Sequence, residues 1–247
     1  MSKRPRLRTV EKSLPPFSLN QFPKDFPYIL GKELIYLLAS KGKPILEGSE
    51  FESIFVICIG AEWKPSNVGL DDIMLGNTAW GAKTVKATNP STQKKVRLIS
   101  GRNSPIYSFG ETIDTHHDPN EVGQSVLEIW NERVSAVREK FQNLRTVVLV
   151  KSNDLTEVVI FEFDTIRYDP ELFVWEWNKN GNLRGVEKST TEHRFTWQPH
   201  GSQFTIIEEI PEDSLLIKIK EPEMLNKEDV LKALGFDKSW ISITKRS

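Results

Sequence analysis

The most constraining feature of this sequence is a long amphipathic segment over 121–144, which an apolar run over 146–150 follows at once. The apolar residues of the first segment recur at three- and four-residue steps, which places them on one face of an α-helix. They are Val122, Val126, Trp130, Val134, Val137, Phe141 and Leu144. The run that follows is short and rich in valine, as is typical of a buried strand. A helix joined directly to a buried strand predicts an α/β protein in which the helix packs on a sheet.

The segment before this helix combines a second buried helix with short strands. Helical spacing predicts a helix over 50–61, and Ser49 with Glu52 forms a capping-box pattern at its start. Short strands are predicted between 70 and 100, with a tight turn at Gly76-Asn77. The order of predicted elements is therefore helix, three strands, long helix and strand.

From residue 156 onward the chain alternates apolar and polar residues, and Asn180-Gly181 is a strong hairpin signal. We expect an α/β (α+β) fold with a mixed central sheet flanked by helices and a β-rich C-terminal part. The predicted division is an N-terminal arm and helix over 1–44, a core over 45–155, and a β-rich part over 156–247 that packs with the core as one domain.

Composition excludes several classes of protein. Cys58 is the single cysteine, so an internal disulfide and a zinc finger are excluded. No apolar run reaches the length of about 18 residues that a transmembrane helix needs, and the basic N-terminus lacks the apolar segment of a secretory signal. With 33 Lys and Arg against 34 Asp and Glu, the net charge of −1 excludes a purely electrostatic nucleic-acid binder. We expect a cytoplasmic protein without a membrane partner.

One group of residues suggests phosphodiester chemistry. In a strand over 78–87, Gly81 and Lys83 point to the same face, and a carboxylate before that hairpin, Asp71 or Asp72, can face Lys83. Asp72 is the better candidate because it directly precedes an apolar strand, and the upstream helix can bring Glu52 to the same corner. Carboxylates hold Mg²⁺, which activates water, and lysine stabilises developing negative charge.

This order of a helix with a glutamate, an Asp-Ile strand, a hairpin, a strand ending in lysine, a third strand, a long helix and a fourth strand resembles the PD-(D/E)XK nuclease core. Type II restriction endonucleases are the best-populated soluble branch of that superfamily. The resemblance covers roughly 45–150 and concerns order and spacing. It implies that Asp72 and Lys83 match the motif's aspartate and lysine, that Glu52 matches the glutamate of the first core helix, and that the Ala82 carbonyl completes the metal coordination.

The sequence departs from the family pattern at the acidic position two residues before the lysine, which is Gly81. Glu52 is our candidate for the missing carboxylate, with Glu128 and Glu132 on the long helix as alternatives. Purely structural interpretations of these three residues remain open as well. Asp72 can serve as a turn residue, Lys83 as a solvated strand residue, and Glu52 as the capping-box partner of Ser49.

A polar stretch in the C-terminal part has the composition of a DNA-reading loop. Arg bonds guanine edges and Gln bonds adenine edges, and a loop between strands can enter a groove. The predicted DNA-binding residues are Arg97, Arg102, Asn103, Arg184, His193, Arg194, Gln198, His200, Ser202 and Gln203. The alternative interpretation is a polar hairpin on the outer face of a sheet.

The sequence as a whole predicts a Mg²⁺-dependent, sequence-specific double-strand DNA endonuclease of the type II restriction class. A palindromic target would require a homodimer, because protein symmetry mirrors site symmetry, and a cognate DNA methyltransferase is expected to be encoded nearby. Two alternatives stay open. One is a nucleic-acid-binding protein without catalysis, and the other is a β-rich ligand-binding module that uses Trp175 and Trp177 as a stacking platform.

Overall fold

The computed structural model describes residues 13–65, 69–110 and 112–245 of a mixed α and β protein with two sheets. The predicted basic arm at Lys3 to Arg8 lies outside the described residues. Within the three described ranges, no helix is long and apolar enough to cross a bilayer.

The helices and strands follow the predicted order with shifted ends. The helices are α1 (Phe26–Lys41), α2 (Gly48–Ile59), α3 (Pro105–Phe109), α4 (Pro119–Arg138) and α5 (Lys227–Ala233). The strands are β1 (Glu62–Trp63), β2 (Ile73–Leu75), β3 (Thr78–Lys86), β4 (Lys95–Arg102), β5 (Asn143–Lys151), β6 (Glu157–Asp164), β7 (Phe173–Trp177), β8 (Leu183–Glu187), β9 (His193–Gln198), β10 (Gln203–Glu209) and β11 (Leu215–Lys218).

The first sheet is mixed and has the strand order β1-β2-β3-β5-β6-β11. Strands β3 and β5 pair in parallel over their full length, and the other neighbours are antiparallel. The predicted turn at Gly76-Asn77 is confirmed, since Leu75 pairs with Thr78 across a two-residue loop and Gly76 adopts a φ of 57°. Glycine adopts this left-handed conformation without a steric cost, and such turns match the twist of paired strands.

The second sheet is antiparallel throughout and has the strand order β4-β10-β9-β8-β7. The predicted hairpin at Asn180-Gly181 is confirmed, because it joins β7 to β8. The sequence placed β4 among the strands of the nuclease core, but this strand pairs with β10 and belongs to the second sheet. Only long-range pairing decides that choice, since the local sequence of β4 fits either sheet.

Three buried clusters hold these layers together. Helices α1 and α2 cover one face of the first sheet, and Cys58 lies in this cluster with Phe55 and Trp80. Helix α4 is packed between the other face of the first sheet and the inner face of the second, around Trp130. A third cluster packs β4 against β5 and β6. Burial raises the pKa of the Cys58 thiol to about 12, so this cysteine is unreactive near neutral pH.

One expectation about local structure is wrong. The capping box of α2 joins Glu47 and Glu50, whose carboxylate accepts the Glu47 amide at 2.8 Å, so Ser49 and Glu52 do not form it. The division at residue 155 stays a prediction, and it falls between β5 and β6, which are paired neighbours of the first sheet. Strand β11 also returns from the C-terminal part to this sheet, so the two sheets exchange segments of chain.

A buried ion pair joins the central strands of the first sheet to each other. The Arg145 guanidinium on β5 donates to the Glu162 carboxylate on β6 at 2.7 Å, and both side chains are almost fully buried. The indole of Trp80 on β3 donates to the second oxygen of Glu162 at 2.8 Å, and the Asn20 amide donates to the first at 3.2 Å. Burial nevertheless raises the pKa of Glu162 above its ordinary value, because these partners offset only part of the desolvation.

We expect Arg145→Met to lower the free energy of unfolding by about 3–5 kcal/mol, because it leaves a buried carboxylate without its cation. Denaturation in guanidinium chloride measures this change. The exposed pair of Arg184 and Glu176, which is 3.2 Å long, supplies the matched control. Arg184→Met should cost at most about 1 kcal/mol. Equal losses for the two variants would contradict the role assigned to the buried pair.

Candidate functional site

The hairpin of β2 and β3 places Asp72 and Lys83 on one face of the first sheet. Ile73 pairs with Trp80, so continuing this register by one residue sets Asp72 opposite Gly81, two positions from Lys83. Ile73 and Trp80 both face α1 and α2. Because side chains alternate along a strand, Asp72 and Lys83 face the opposite side, which α4 covers. The predicted juxtaposition of these two residues is therefore present.

Lys83 is half-buried on this face, and its surroundings are mixed in charge. Burial lowers the pKa of the Lys83 ammonium, because desolvation penalises the charged form. The Asp72 carboxylate opposes this change in pKa, the Arg133 guanidinium adds to it, and the Glu52 carboxylate opposes it. Two carboxylates and a second cation therefore lie within electrostatic reach of Lys83.

Glu52 lies on α2 and approaches Asp72 beside β1 and β2, the short strands at one edge of the first sheet. Its carboxylate accepts the indole N–H of Trp63 on β1 at 3.0 Å, and Trp63 pairs with Ile73 next to Asp72. The backbone amide of Lys64 donates to the Asp72 carbonyl at 2.8 Å and fixes the same edge. Since Glu52 is not used in the capping box of α2, its carboxylate serves this corner of the sheet.

Gly81 lies close to the segment of chain that precedes β2. A Cβ atom at this position would lie 3.4 Å from the Gly69 carbonyl oxygen and 3.4 Å from the Leu70 Cα. These distances are at the edge of ordinary van der Waals contact, so the backbone of Gly69 and Leu70 borders the space that a side chain at this position would enter.

Arg133, which sequence reasoning missed, connects the face of Lys83 to the second sheet. Its Nη1 donates to the Ser100 carbonyl at 2.8 Å and to the Asn103 side-chain oxygen at 3.1 Å. Its guanidinium also lies 5.6 Å from the ring centre of Trp130. Burial lowers the pKa of Arg133. A signal was available in the sequence, because Arg133 follows Val126 by seven positions and lies on the apolar stripe of α4.

Asn103 has a structural role, so the prediction that it contacts DNA is wrong for this conformation. Its side chain is fully buried and donates to the Val126 carbonyl of α4 at 3.0 Å. Its backbone amide donates to the Ser202 carbonyl at 2.8 Å, and its carbonyl accepts the Trp197 indole at 2.8 Å. Asn103 therefore fixes the end of β4 to α4 and to the loop between β9 and β10.

The outer face of the second sheet gathers three of the predicted DNA-binding residues. Arg97 donates to the Thr196 hydroxyl at 3.0 Å, and the His193 Nε2 lies 3.0 Å from the same oxygen. Burial lowers the pKa of His193, and the charges of Arg184 and Arg97 lower it further against the opposing hydrogen bond with the Phe195 carbonyl. These contacts give the sheet a polar face with two arginines and a histidine.

A second group of predicted residues lies at one end of this sheet. Gln198 pairs with Gln203 at the hairpin between β9 and β10, and Gln203 also pairs with Arg102 on β4. The loop between them contains His200, which is exposed, and Ser202, which adopts a φ of 52°. This end of the sheet is joined through Asn103 to Arg133.

Arg194 does not belong to either group. Strand β9 carries a bulge at this residue, since Val186 pairs with His193 and Gly185 pairs with Phe195. The bulge turns Arg194 inward, where it donates to Glu208 at 2.6 Å and lies over the ring of Tyr168 at 5.8 Å. In this conformation the Arg194 side chain serves a partly buried ion pair, and its contact with DNA stays a prediction.

The stacking platform that one alternative function required is also absent from β7. Trp175 is 3% exposed, and its ring fills the space between Gly123 on α4 and Gly185 on β8, where any Cβ would collide with it. Trp175 is therefore part of the core. Its neighbour Trp177 donates its indole N–H to the His117 carbonyl at 3.0 Å.

Two carboxylates beside a lysine fit an oxygen-ligated cation such as Mg²⁺. Within the described ranges, no three His, Cys, Asp or Glu side chains are grouped so that they could hold a metal ion, and a metal-binding role of Asp72 and Glu52 stays a prediction. The alternative candidates Glu128 and Glu132 line a separate cleft of about 640 Å³ beside Asn131 and Lys188. The side chain of Ala82 packs on the α1 and α2 cluster, and the metal-binding role of its carbonyl stays a prediction.

Comparisons with family models, with curated proteins and with solved structures find no match to this chain. The arrangement of the candidate site is therefore interpreted from its own residues.

We expect Gly81→Glu to destabilise the protein by about 1–3 kcal/mol, because the new side chain must displace the backbone of Gly69 and Leu70. Gly81→Ala is the matched control, since a lone Cβ makes contacts at the edge of the ordinary range and should cost less than about 1 kcal/mol. Thermal and urea denaturation of both variants measure the difference. If the Gly81→Glu protein is as stable as the parent, the backbone at Gly69 and Leu70 moves aside without a cost in stability.

Proposed function

We propose that this protein is a Mg²⁺-dependent, sequence-specific double-strand DNA endonuclease of the type II restriction class. One observation carries the proposal: the half-buried ammonium of Lys83 lies within electrostatic reach of the carboxylates of Asp72 and Glu52. A buried lysine is costly to a fold, and a cation with two acidic neighbours from separate elements is typical of a functional site. A methyltransferase gene beside this one would add support.

In this proposal Asp72 and Glu52 hold the cation beside the N-terminal end of β2, which Asp72 directly precedes. The bound Mg²⁺ would polarise a phosphate oxygen and lower the pKa of its coordinated water. The protein supplies the position of the two carboxylates. Asp72 is held through its backbone bond with Lys64, and Glu52 is held through the indole of Trp63.

Lys83 and Arg133 supply positive charge to the scissile phosphate. Lys83 projects from β3, and its position is set by the parallel pairing of its backbone with Val148 on β5. Arg133 is held by the Ser100 carbonyl and by Asn103, which fixes its guanidinium before any substrate arrives. Cations held in place in this way stabilise developing charge without reorganising during the reaction.

The second sheet provides the surface for DNA recognition. The outer-face residues Arg97, Arg184 and His193 and the end-of-sheet residues Arg102, Gln198, His200, Ser202 and Gln203 offer donors for phosphates and for base edges. Asn103 and Arg133 join the end of this sheet to the proposed catalytic face. A net charge of −1 is compatible with basic groups that are collected locally in this way.

The order of elements supports a PD-(D/E)XK-like core, which we also propose. Glu52 lies on a helix, Asp72 precedes a hairpin, Lys83 lies on the second strand of that hairpin, and α4 leads to a strand that pairs in parallel with it. The third strand of the expected order differs, because β4 joins the recognition sheet.

A second candidate function is sequence-specific DNA binding without cleavage, which the missing carboxylate at Gly81 favours. The family pattern places an acidic residue at this position, and this chain has a glycine. Such a protein would keep the recognition surface described above and would not depend on Asp72 or Lys83.

We expect Lys83→Met to abolish Mg²⁺-dependent cleavage of plasmid DNA and at the same time to raise the stability of the protein at neutral pH. The folded-state pKa of Lys83 is below its unfolded value, so its charge destabilises the fold at all pH values below the folded pKa. The gain in stability of the variant should therefore be present at neutral pH, shrink once the pH passes the folded pKa, and vanish near the higher unfolded pKa of about 10.4. Gel assays near neutral pH measure cleavage, and thermal denaturation between about pH 7 and 11 measures the change in stability.

Lys86→Met, at the exposed end of the same strand, is the matched control and should retain cleavage and stability. Asp72→Asn should also lose cleavage, whereas Asp213→Asn in an exposed loop should not. Intact cleavage by both Lys83→Met and Asp72→Asn would rule out this active site. An inactive parent protein that still selects one DNA sequence would favour the second candidate function.

We expect Arg97→Gln and Arg102→Gln each to weaken binding to duplex DNA and, where the lost contact is a phosphate, to lower the slope of log affinity against log salt by about one. Fluorescence anisotropy over a salt series measures both quantities. Lys220→Gln is the control, because this exposed lysine lies beyond the end of β11 and away from the second sheet. Unchanged affinity in both arginine variants would remove the outer sheet face from the proposed interface.

A further inference from the structure

The C-terminal arm, residues 226–245, is folded locally but leaves its apolar side chains in solvent. Helix α5 has seven residues, and the Asn226 side chain caps it by accepting the Glu228 amide at 2.9 Å. Beyond it, the rings of Phe236 and Trp240 contact each other at 5.9 Å between centroids. The large apolar residues exposed on the arm are Val230, Leu234, Phe236, Trp240, Ile241 and Ile243. A helix this short is marginal in water unless its apolar face is covered.

The arm leaves the body of the protein at the C-terminal end of α1. The Leu225 amide donates to the Ala39 carbonyl at 2.9 Å, and Met224 lies against Gly42. The cap of α5 begins with the next residue, Asn226. The position of the arm's first turn is therefore fixed relative to α1.

An uncovered apolar groove begins at the same end of α1. It lies between α1 and α2, has a volume of about 410 Å³ and is lined mainly by apolar atoms of Tyr36, Leu37, Ile54, Ile57 and Trp63. Tyr36 is 65% exposed and Ile57 is 54% exposed. Ser40 and Lys41 form the end of the groove. They directly follow Ala39, whose carbonyl accepts the Leu225 amide at the start of the arm.

We propose that the C-terminal arm docks in the groove between α1 and α2 of a second copy of this chain, and that the exchange is reciprocal. One chain carries both an uncovered apolar arm and an uncovered apolar groove, and the two lie side by side at its surface. A two-fold axis that passes beside Ala39 brings each arm onto the other copy's groove and leaves neither surface exposed. This inference does not rest on the proposed nuclease function.

The charges at the edges of the two surfaces are complementary. Lys227 precedes Val230 by three positions and Leu231 by four, so it lies on the apolar side of α5. Glu33 lies on the rim of the groove. In the exchanged dimer Lys227 pairs with Glu33 of the other copy, which orients the arm along the groove.

The arm and the groove together offer an apolar area that suits a dimer. An aromatic side chain buries about 150–250 Å² when it is fully covered. Docking adds only the share that is still exposed, which is 39% for Phe236 and 62% for Trp240. Because the exchange is reciprocal, each copy contributes both an arm and a groove toward the area of about 800 Å² that each partner of a stable complex buries.

The oligomeric state of the full chain tests the proposal. We expect sedimentation velocity and light scattering to give a dimer, and Leu234→Glu on the arm or Ile57→Glu in the groove to weaken association by about 30-fold or more, as at interface hot spots. Both side chains are exposed in the single chain, so circular dichroism and thermal stability at low concentration should not change. Tyr107→Glu, at a residue 92% exposed on α3, is the control and should leave association unchanged.

Charge exchange tests the orientation of the arm. Lys227→Glu and Glu33→Lys should each weaken the dimer, and the double variant should recover association.

Disulfide cross-linking distinguishes exchange from docking of the arm on its own groove. A chain with Ser53→Cys in the groove, mixed with a chain with Ser239→Cys on the arm, should form a covalent dimer after mild oxidation. The native Cys58 does not compete, because it is buried and its pKa is raised.

Three outcomes would overturn the proposal. The first is a monomeric parent protein, and the second is a dimer that neither Leu234→Glu nor Ile57→Glu weakens. The third is a mixture of the two single-cysteine chains that does not cross-link, while one chain that carries both Ser53→Cys and Ser239→Cys forms the disulfide within itself. The last result would assign the arm to its own groove.

Discussion

The parallel pairing of β3 with β5 determines the arrangement of the rest of the molecule. Parallel neighbours cannot be joined by a tight turn, so the chain must travel from one end of the sheet to the other between them. The connection runs from residue 87 to 142 and contains both β4 and α4. It sets α4 on the face of the sheet that carries Lys83, and it starts the second sheet on the far side of that helix. The closeness of Arg133 to Lys83 is a direct result of this connection.

The candidate site contains two half-buried cations at positions where apolar side chains would stabilise the fold more. Lys83 lies half-buried on a central strand where an apolar residue would pack without a desolvation cost, and Arg133 occupies the apolar stripe of α4. Two cations facing the same space repel each other unless acidic groups or a bound anion lie between them. Asp72 and Glu52 supply part of this compensation, and a phosphate would supply more.

Local signals in the sequence predicted the elements of this fold well, because they depend on neighbouring residues. The turn at Gly76-Asn77, the hairpin at Asn180-Gly181 and the long helix all follow from nearby side chains and backbone conformation. Features that depend on distant partners were predicted less well. The sheet that β4 joins is decided by β10, about a hundred residues later in the chain.

The candidate site shows the same division between local and distant information. Strand alternation and hairpin register predicted that Asp72 and Lys83 share a face. The inward turn of Arg194 depends on a bulge that only its pairing with β8 reveals, and the burial of Asn103 depends on contacts with α4 and β9. Sequence composition alone cannot distinguish a solvent-exposed arginine from one that forms an ion pair with a buried glutamate.

The exchange of strands between the two sheets has a consequence for how the chain folds as it is synthesised. Strand β4 ends at Arg102, but its partner β10 and the edge strand β11 of the first sheet lie at Gln203–Glu209 and Leu215–Lys218. Both sheets therefore stay incomplete until these strands have left the ribosome, with the unpaired edges of β4 and β6 uncovered meanwhile. Contacts of such large sequence separation slow folding, so this protein should depend on chaperones more than a chain of the same length with two sequential domains.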